Sequence, residues 1–147
     1  MPVLQLIAPS GNPHDRNAVA RGVDYFTRQG WRVTGQACAL RQMQRFAGTL
    51  KSKRPDLVMA LRGGYGLSRL LDRIDYAEIA KAKLCFMGHS DFTAFNLAYL
   101  AQAGMPSYNG PMMSYDFGAD TPSKFMLSHF WNLLNHGEDT ISVKIAQ

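Results

Sequence analysis

Ser90 stands in Gly88-His89-Ser90-Asp91, between the apolar run Leu84 to Met87 and the helical run Phe92 to Ala103. A serine at a strand-to-helix junction can hold its Oγ out towards a carbonyl carbon. The backbone N–H that follows it, that of Asp91, begins a helix and has no intrahelical acceptor, so it is free to face a developing oxyanion. This is the logic of a nucleophile elbow, although Phe92 occupies the place of the second glycine in G-x-S-x-G. The same serine is also suited to cap the helix.

A second glycine-rich element, Arg62-Gly63-Gly64-Tyr65-Gly66, follows the apolar run Leu57 to Leu61. Two such loops, each after a strand, would lie side by side at one edge of a parallel sheet, where open α/β folds bind ligands. Gly63, Gly64 and Gly66 let backbone approach a substrate closely and tolerate positive φ. Arg62, Gly63 and Tyr65 are the candidate substrate-binding residues. The Arg62 guanidinium could take a peptide carboxylate bidentately, or pair with a nearby Asp. His89 adjoins the serine, and chain neighbours point apart, so it reads as a supporting residue and not as the general base.

Elements that would position these loops alternate along the chain. Val3 to Ala8, Arg32 to Ala37, Leu57 to Leu61 and Lys83 to Met87 read as strands, and Met105 to Tyr108 enters another. Asp15 to Gln29 reads as a helix with Val19, Val23 and Phe26 on one face and Gly30 as its stop. Leu67 to Ile74 carries a helical stripe of Leu67, Leu70, Leu71 and Ile74, and Asp75 caps a short helix to Ala80. Phe92 to Ala103 is apolar on nearly all sides, which predicts burial. Thr121 as N-cap and Pro122 at the first turn open a last helix with Met126, Phe130, Leu133 and Leu134 facing the core and Gly137 ending it. Thr140 to Ile145 alternates weakly as a strand. The whole predicts an α/β, flavodoxin-like three-layer domain with a mostly parallel sheet and helices on both faces. Met112, Met113, Tyr115 and Phe117 read as loop packing.

The 147 residues fit one domain with a real core, at 46% hydrophobic and 18% charged. No apolar stretch is long enough to cross a membrane, and Val3 to Ala8 reads as a first strand and not a signal peptide, so a cytoplasmic location is expected. Cys85 reads as a small core residue, and with Cys38 as the only other cysteine no disulfide framework is suggested. His14, His89, His129 and His136 have no metal-ligand spacing, so no metal and no cofactor is expected. The net charge is +5. Its densest basic cluster, Lys51, Lys53 and Arg54, reads as a solvated loop, and no nucleic-acid-binding signature accompanies it. The glycine loops could cradle a phosphate, but neither GxGxxG nor GxxxxGK[ST] is present.

Taken in order, Ile7-Ala8-Pro9-Ser10-Gly11, Arg45-Phe46-Ala47-Gly48, Arg62 to Gly66 with Arg69-Leu70-Leu71-Asp72-Arg73-Ile74-Asp75, Gly88 to Ala94, and Asn109-Gly110-Pro111-Met112 resemble the LD-carboxypeptidases. These serine peptidases are also called muramoyltetrapeptide carboxypeptidases, and the microcin C immunity peptidases are relatives. The resemblance covers nearly all of the chain. It implies a cytoplasmic enzyme of cell-wall recycling that removes the terminal D-alanine of a murein tetrapeptide from the L-centre of meso-diaminopimelate. The implied machinery is a metal-free Ser-His-Glu triad, with a homodimer as the assembly; the apolar Met112/Met113 region of this sequence is one candidate contact. Ser90 then matches the nucleophile, and the N–H groups of Asp91 and Gly64 match the oxyanion hole.

Two departures stand out. The family carries its catalytic Glu and His in a second domain, and the 147 residues match an N-terminal, nucleophile-bearing domain whose C-terminal partner domain is absent. None of the four histidines corresponds to the catalytic one, so the chain alone is expected to have little or no peptidase activity, since serine needs an adjacent base. Only Thr49 to Asp56 separate Gly48 from the strand before Arg62, too few for the helix the family places there. Either that helix is deleted or residues are missing from the sequence, and the abrupt run Leu50 to Arg54 favours the latter. Besides the peptidase, the residues leave open a non-catalytic module that holds a peptide or an anion, and a microcin-type immunity peptidase.

Overall fold

A computed structural model describes residues 1–35 and 54–143. Four short apolar runs form β1 (Val3–Ile7), β2 (Arg32–Thr34), β3 (Leu57–Ala60) and β4 (Phe86–Met87). They pair in the order β2-β1-β3-β4, all parallel, with Leu4 opposite Leu57 and Met59 opposite Met87. Alternation along the strands sends Ile7, Val58, Ala60 and Phe86 to one face and Leu4, Leu6, Leu57, Met59 and Met87 to the other. Both faces are covered, which is why every residue of β3 is buried.

On the first face lie α2 (Tyr76–Lys81) and α3 (Phe92–Ala103), with Ile79, Phe92, Phe95 and Tyr99 in the core. On the second lie α1 (Arg16–Arg28), α4 (Lys124–His136) and a π-helical turn, Met113–Phe117. Phe26 is the hub there, ringed by Trp31, Phe117, Phe130 and Trp131. This is the three-layer α/β domain expected. Asp75 caps α2 as anticipated, accepting from the Glu78 N–H at 2.9 Å, and Asp15, read from sequence as the first helical residue, instead caps α1, accepting from the Asn17 N–H at 2.8 Å.

Several expectations are corrected. Leu67 to Ile74 forms two 3₁₀ turns, Leu67–Arg69 and Leu71–Arg73, instead of one helix. Its leucines at i, i+3 suit three residues per turn. β4 keeps only two of five residues, and Met105 to Tyr108 contributes a single bridge from Tyr108 to Met87. α3 is not buried all round: Leu97 and Leu100 are 64% and 55% exposed, because only one side of the helix meets the sheet. α4 is capped by Ser123, not Thr121, with Ser123 Oγ accepting from Met126 N–H at 3.4 Å. Residues 140–143 form no strand. Cys38, Arg45 to Gly48, Lys51, Lys53 and the ends of the strands expected at Ala37 and Ile145 lie outside the described residues.

Candidate active site

The carboxyl ends of β1, β3 and β4 converge at one edge of the sheet, and the chain changes direction across the sheet between β1 and β3. The loops that follow these strands supply Ser10, Arg62 to Tyr65, and His89 with Ser90. They line a cleft of about 520 Å3 together with His14, Met112 and Tyr115.

Ser90 is exposed and has φ +60°, a left-handed conformation that among described non-glycine residues only Lys83 shares. Such backbone costs about 1–2 kcal/mol for a residue with a Cβ. It is kept here by a tight turn, in which the N–H groups of Phe92, Thr93 and Ala94 donate to the carbonyls of His89, Ser90 and Asp91 at 3.1, 3.1 and 3.0 Å. Ser90 Oγ makes no hydrogen bond among the described residues, and the cap position of α3 falls on Asp91, without a side-chain cap bond. Helix capping by Ser90 is therefore not what the structure shows. The backbone N–H of Asp91 also donates to nothing among the described residues.

The glycine loop approaches this turn at contact distance. A Cβ built on Gly63 would sit 2.7 Å from both Cβ and Oγ of Ser90, and one on Gly64 would sit 2.9 Å from the Ser10 carbonyl oxygen. None of Gly63, Gly64 and Gly66 has positive φ. The glycines are needed because protein, not substrate, presses on them, which corrects the conformational argument made from sequence.

Asp91 supplies a feature that sequence reasoning missed, since only its N–H was singled out. Its carboxylate accepts from Ser10 Oγ–H at 2.6 Å through Oδ2 and from Gly64 N–H at 3.0 Å through Oδ1. One side chain thus ties the loops after β1, β3 and β4 together, and Ser10 is buried in the process. The available signal was Ser10 itself, a hydroxyl followed by Gly11 at the end of β1. The same bond means that the Gly64 N–H already has an acceptor.

Arg62 pairs with no carboxylate among the described residues, so the ion-pair alternative is not observed. Its Nε and Nη1 donate to the Asn12 and Gly63 carbonyl oxygens at 2.6 and 2.7 Å, which pins the guanidinium without neutralising it. Tyr65 is 89% exposed at the rim. His89 Nε2 lies 3.1 Å from Asp116 Oδ2, which also accepts from Met112 N–H at 2.7 Å. Asp116, Met112 and Tyr115 were not expected at the site. Met112 and Met113 are buried against the core, so they offer no surface for a subunit contact. Among the described residues no group of three or more His, Cys, Asp or Glu side chains is placed to hold a metal ion, and no helix is long and apolar enough to cross a membrane.

Residues 4–110 match the LD-carboxypeptidase N-terminal domain. The chain belongs to the LD-carboxypeptidase family. Its fold superposes on the muramoyltetrapeptide carboxypeptidase of Oxalobacter formigenes with a TM-score of 0.76 and 34% identity, over 88% of this chain and 47% of that one. The "Probable murein peptide carboxypeptidase" of Bacillus subtilis is 29% identical over 89 residues, 60% of this chain and 28% of its own length. A Treponema pallidum relative is 28% identical over 147 residues, 91% of this chain and 43% of its own. An MccF-like protein of Bacillus anthracis, 23% identical, shares the fold with a TM-score of 0.78 over 90% of this chain and 44% of that one. This LD-carboxypeptidase-family chain spans less than half the length of each of these relatives.

Proposed function

We propose that this chain is the nucleophile-bearing part of a serine LD-carboxypeptidase that removes the terminal D-alanine from murein tetrapeptides. The observation that carries the reading is Ser90: strained backbone, an open cleft above it and, among the described residues, an unbonded Oγ beside an Asp91 N–H without an acceptor. In this reading Oγ attacks the scissile carbonyl carbon and the Asp91 N–H receives the oxyanion. The Gly64 N–H joins it as second donor once the Asp91 carboxylate releases it. Arg62 holds the free carboxylate of the departing residue. The Oγ proton needs a base. No described residue accepts it, so the base comes from outside the described residues.

A binding-only module is the second reading, and the Gly64 N–H bond to Asp91 favours it, because the oxyanion site is then half filled by the protein's own carboxylate. D-alanine release separates the two. The 147-residue chain alone is expected to bind a murein tetrapeptide and release no D-alanine above buffer. Fused to the region of the Oxalobacter formigenes enzyme beyond the superposed part, it is expected to release D-alanine, with Ser90→Ala lowering the rate about 10³-fold or more. Release undiminished by Ser90→Ala would remove the nucleophile, and binding without release in the fusion would favour the module.

A further inference from the structure

Among the described residues no carboxylate lines the cleft above Ser90, yet it holds one arginine and two histidines, Arg62, His14 and His89. Arg62 spends two of its N–H groups on backbone carbonyls and keeps its charge. His89 is the more built of the two imidazoles. Its Nε2 is fixed on Asp116 Oδ2 at 3.1 Å, and Asp116 is itself fixed by the Met112 N–H at 2.7 Å. A carboxylate only accepts, so Nε2 carries a proton, and Nδ1 is the ring nitrogen left for a ligand.

We infer that His89, oriented by Asp116, is the second arm of a carboxylate clamp whose first arm is Arg62, and that an anionic ligand binds there with uptake of one proton at Nδ1. The inference rests on the peptide reading above and deepens it by assigning what recognises the free C-terminus. The chemistry balances simply: Nδ1 of the neutral ring takes a proton from solvent, becomes a donor, and meets the ligand carboxylate in a charge-assisted hydrogen bond. Without an anion, the imidazolium would add a second positive charge to a cleft that already holds the Arg62 guanidinium. With one, each cation has a partner. The other charged and titratable groups around His89 are Asp116 behind it and His14, Tyr65 and Tyr115 along the cleft. Asp91, two residues on, already has its carboxylate engaged by Ser10 and Gly64. His89 is thereby a ligand-contacting residue and Asp116 a positioning residue that acts through it.

The test is calorimetric titration of the 147-residue chain with a D-alanine-terminated murein tetrapeptide, in buffers of different ionisation enthalpy at pH 6 and pH 8. The tetrapeptide is used with its N-terminus acylated, because a free α-amino group, at about 7.7–8.0, would titrate in that window whereas the carboxylates do not. The expected result is net proton uptake at pH 8, at least threefold tighter binding at pH 6, and at least tenfold weaker binding of the C-terminal amide. His89→Gln keeps a donor for Asp116 but cannot be protonated, and is expected to abolish the uptake and flatten the pH dependence. Asp116→Asn is expected to reduce the acid-over-amide preference without loss of the folded far-ultraviolet spectrum. Tetrapeptide binding with no proton uptake, or uptake that disappears in His14→Gln and persists in His89→Gln, overturns the clamp and leaves the peptidase reading standing. Failure of the wild-type chain to bind the tetrapeptide overturns both.

Discussion

Gly63 and Ser90 offer a quantitative test of the site's geometry. An alanine Cβ at position 63 would meet Ser90 Cβ and Oγ at 2.7 Å, whereas the next nearest atom, Asp91 Oδ1, lies at an ordinary 3.5 Å. Non-bonded carbons prefer about 3.5–4.0 Å, so the serine or the loop must yield by roughly 0.8 Å or more. Overpacking of this kind costs about 1–3 kcal/mol. Ser90→Gly removes both clashing atoms, sacrifices no hydrogen bond among the described residues, and relieves φ +60°, so it alone is expected to stabilise by about 1 kcal/mol. In that background Gly63→Ala should become neutral or favourable by about 0.4–1 kcal/mol, since alanine restricts the unfolded chain. The coupling in the double-mutant cycle is therefore expected at about 1.5–3 kcal/mol. That corresponds to roughly 3–12 °C in Tm at this chain length. Urea unfolding of the four proteins, followed by circular dichroism, measures it. A coupling below about 0.5 kcal/mol would show that Gly63 does not press on the serine, and the argument for a protein-crowded glycine loop would fall.

The Asp91 carboxylate invites a paired comparison: Asp91→Ala strands Ser10 Oγ and Gly64 N–H and should cost about 2–4 kcal/mol, while Asp91→Asn can still accept from Gly64 and pair with Ser10, and should cost about half as much. Equal losses in urea unfolding would argue against the three-loop tie. Burial pushes the Cys85 thiol up to about 11 from its ordinary 9.0. Between those values the unfolded chain has lost a proton that the folded chain keeps, so this contribution is full below pH 9 and is lost as pH rises to 11. Two units at about 1.36 kcal/mol each, roughly halved because the thiol is part-exposed, give about 1–1.5 kcal/mol. The stability difference between wild type and Cys85→Ala should fall by that amount from pH 9 to pH 11, and a constant difference would contradict it.

Local chemistry decided much of this protein before any packing was known. Apolar runs of four to six residues, punctuated by glycine and capped by Asp15 and Asp75, specify strands and helices wherever they are placed, because period and capping act within a few residues. The same locality made Gly88 to Asp91 and Arg62 to Gly66 legible as loops after strands, and put them at one sheet edge. The misreadings share one cause. Whether Leu97 and Leu100 are covered, whether Leu67 to Ile74 completes a helix, and whether Met112 meets solvent or core all depend on what lies across the fold.

The site itself shows the division most sharply. Serine and aspartate in G-x-S-D can be read from the chain, but the left-handed turn that presents Ser90 exists because β4 and α3 are held by separate layers. The Asp91 carboxylate finds Ser10 across 81 positions of sequence and Gly64 across 27. No periodicity encodes such a meeting. A half-buried carboxylate still needs donors, and only the parallel order β1-β3-β4, which stacks three loop ends over one edge, decides which donors it receives.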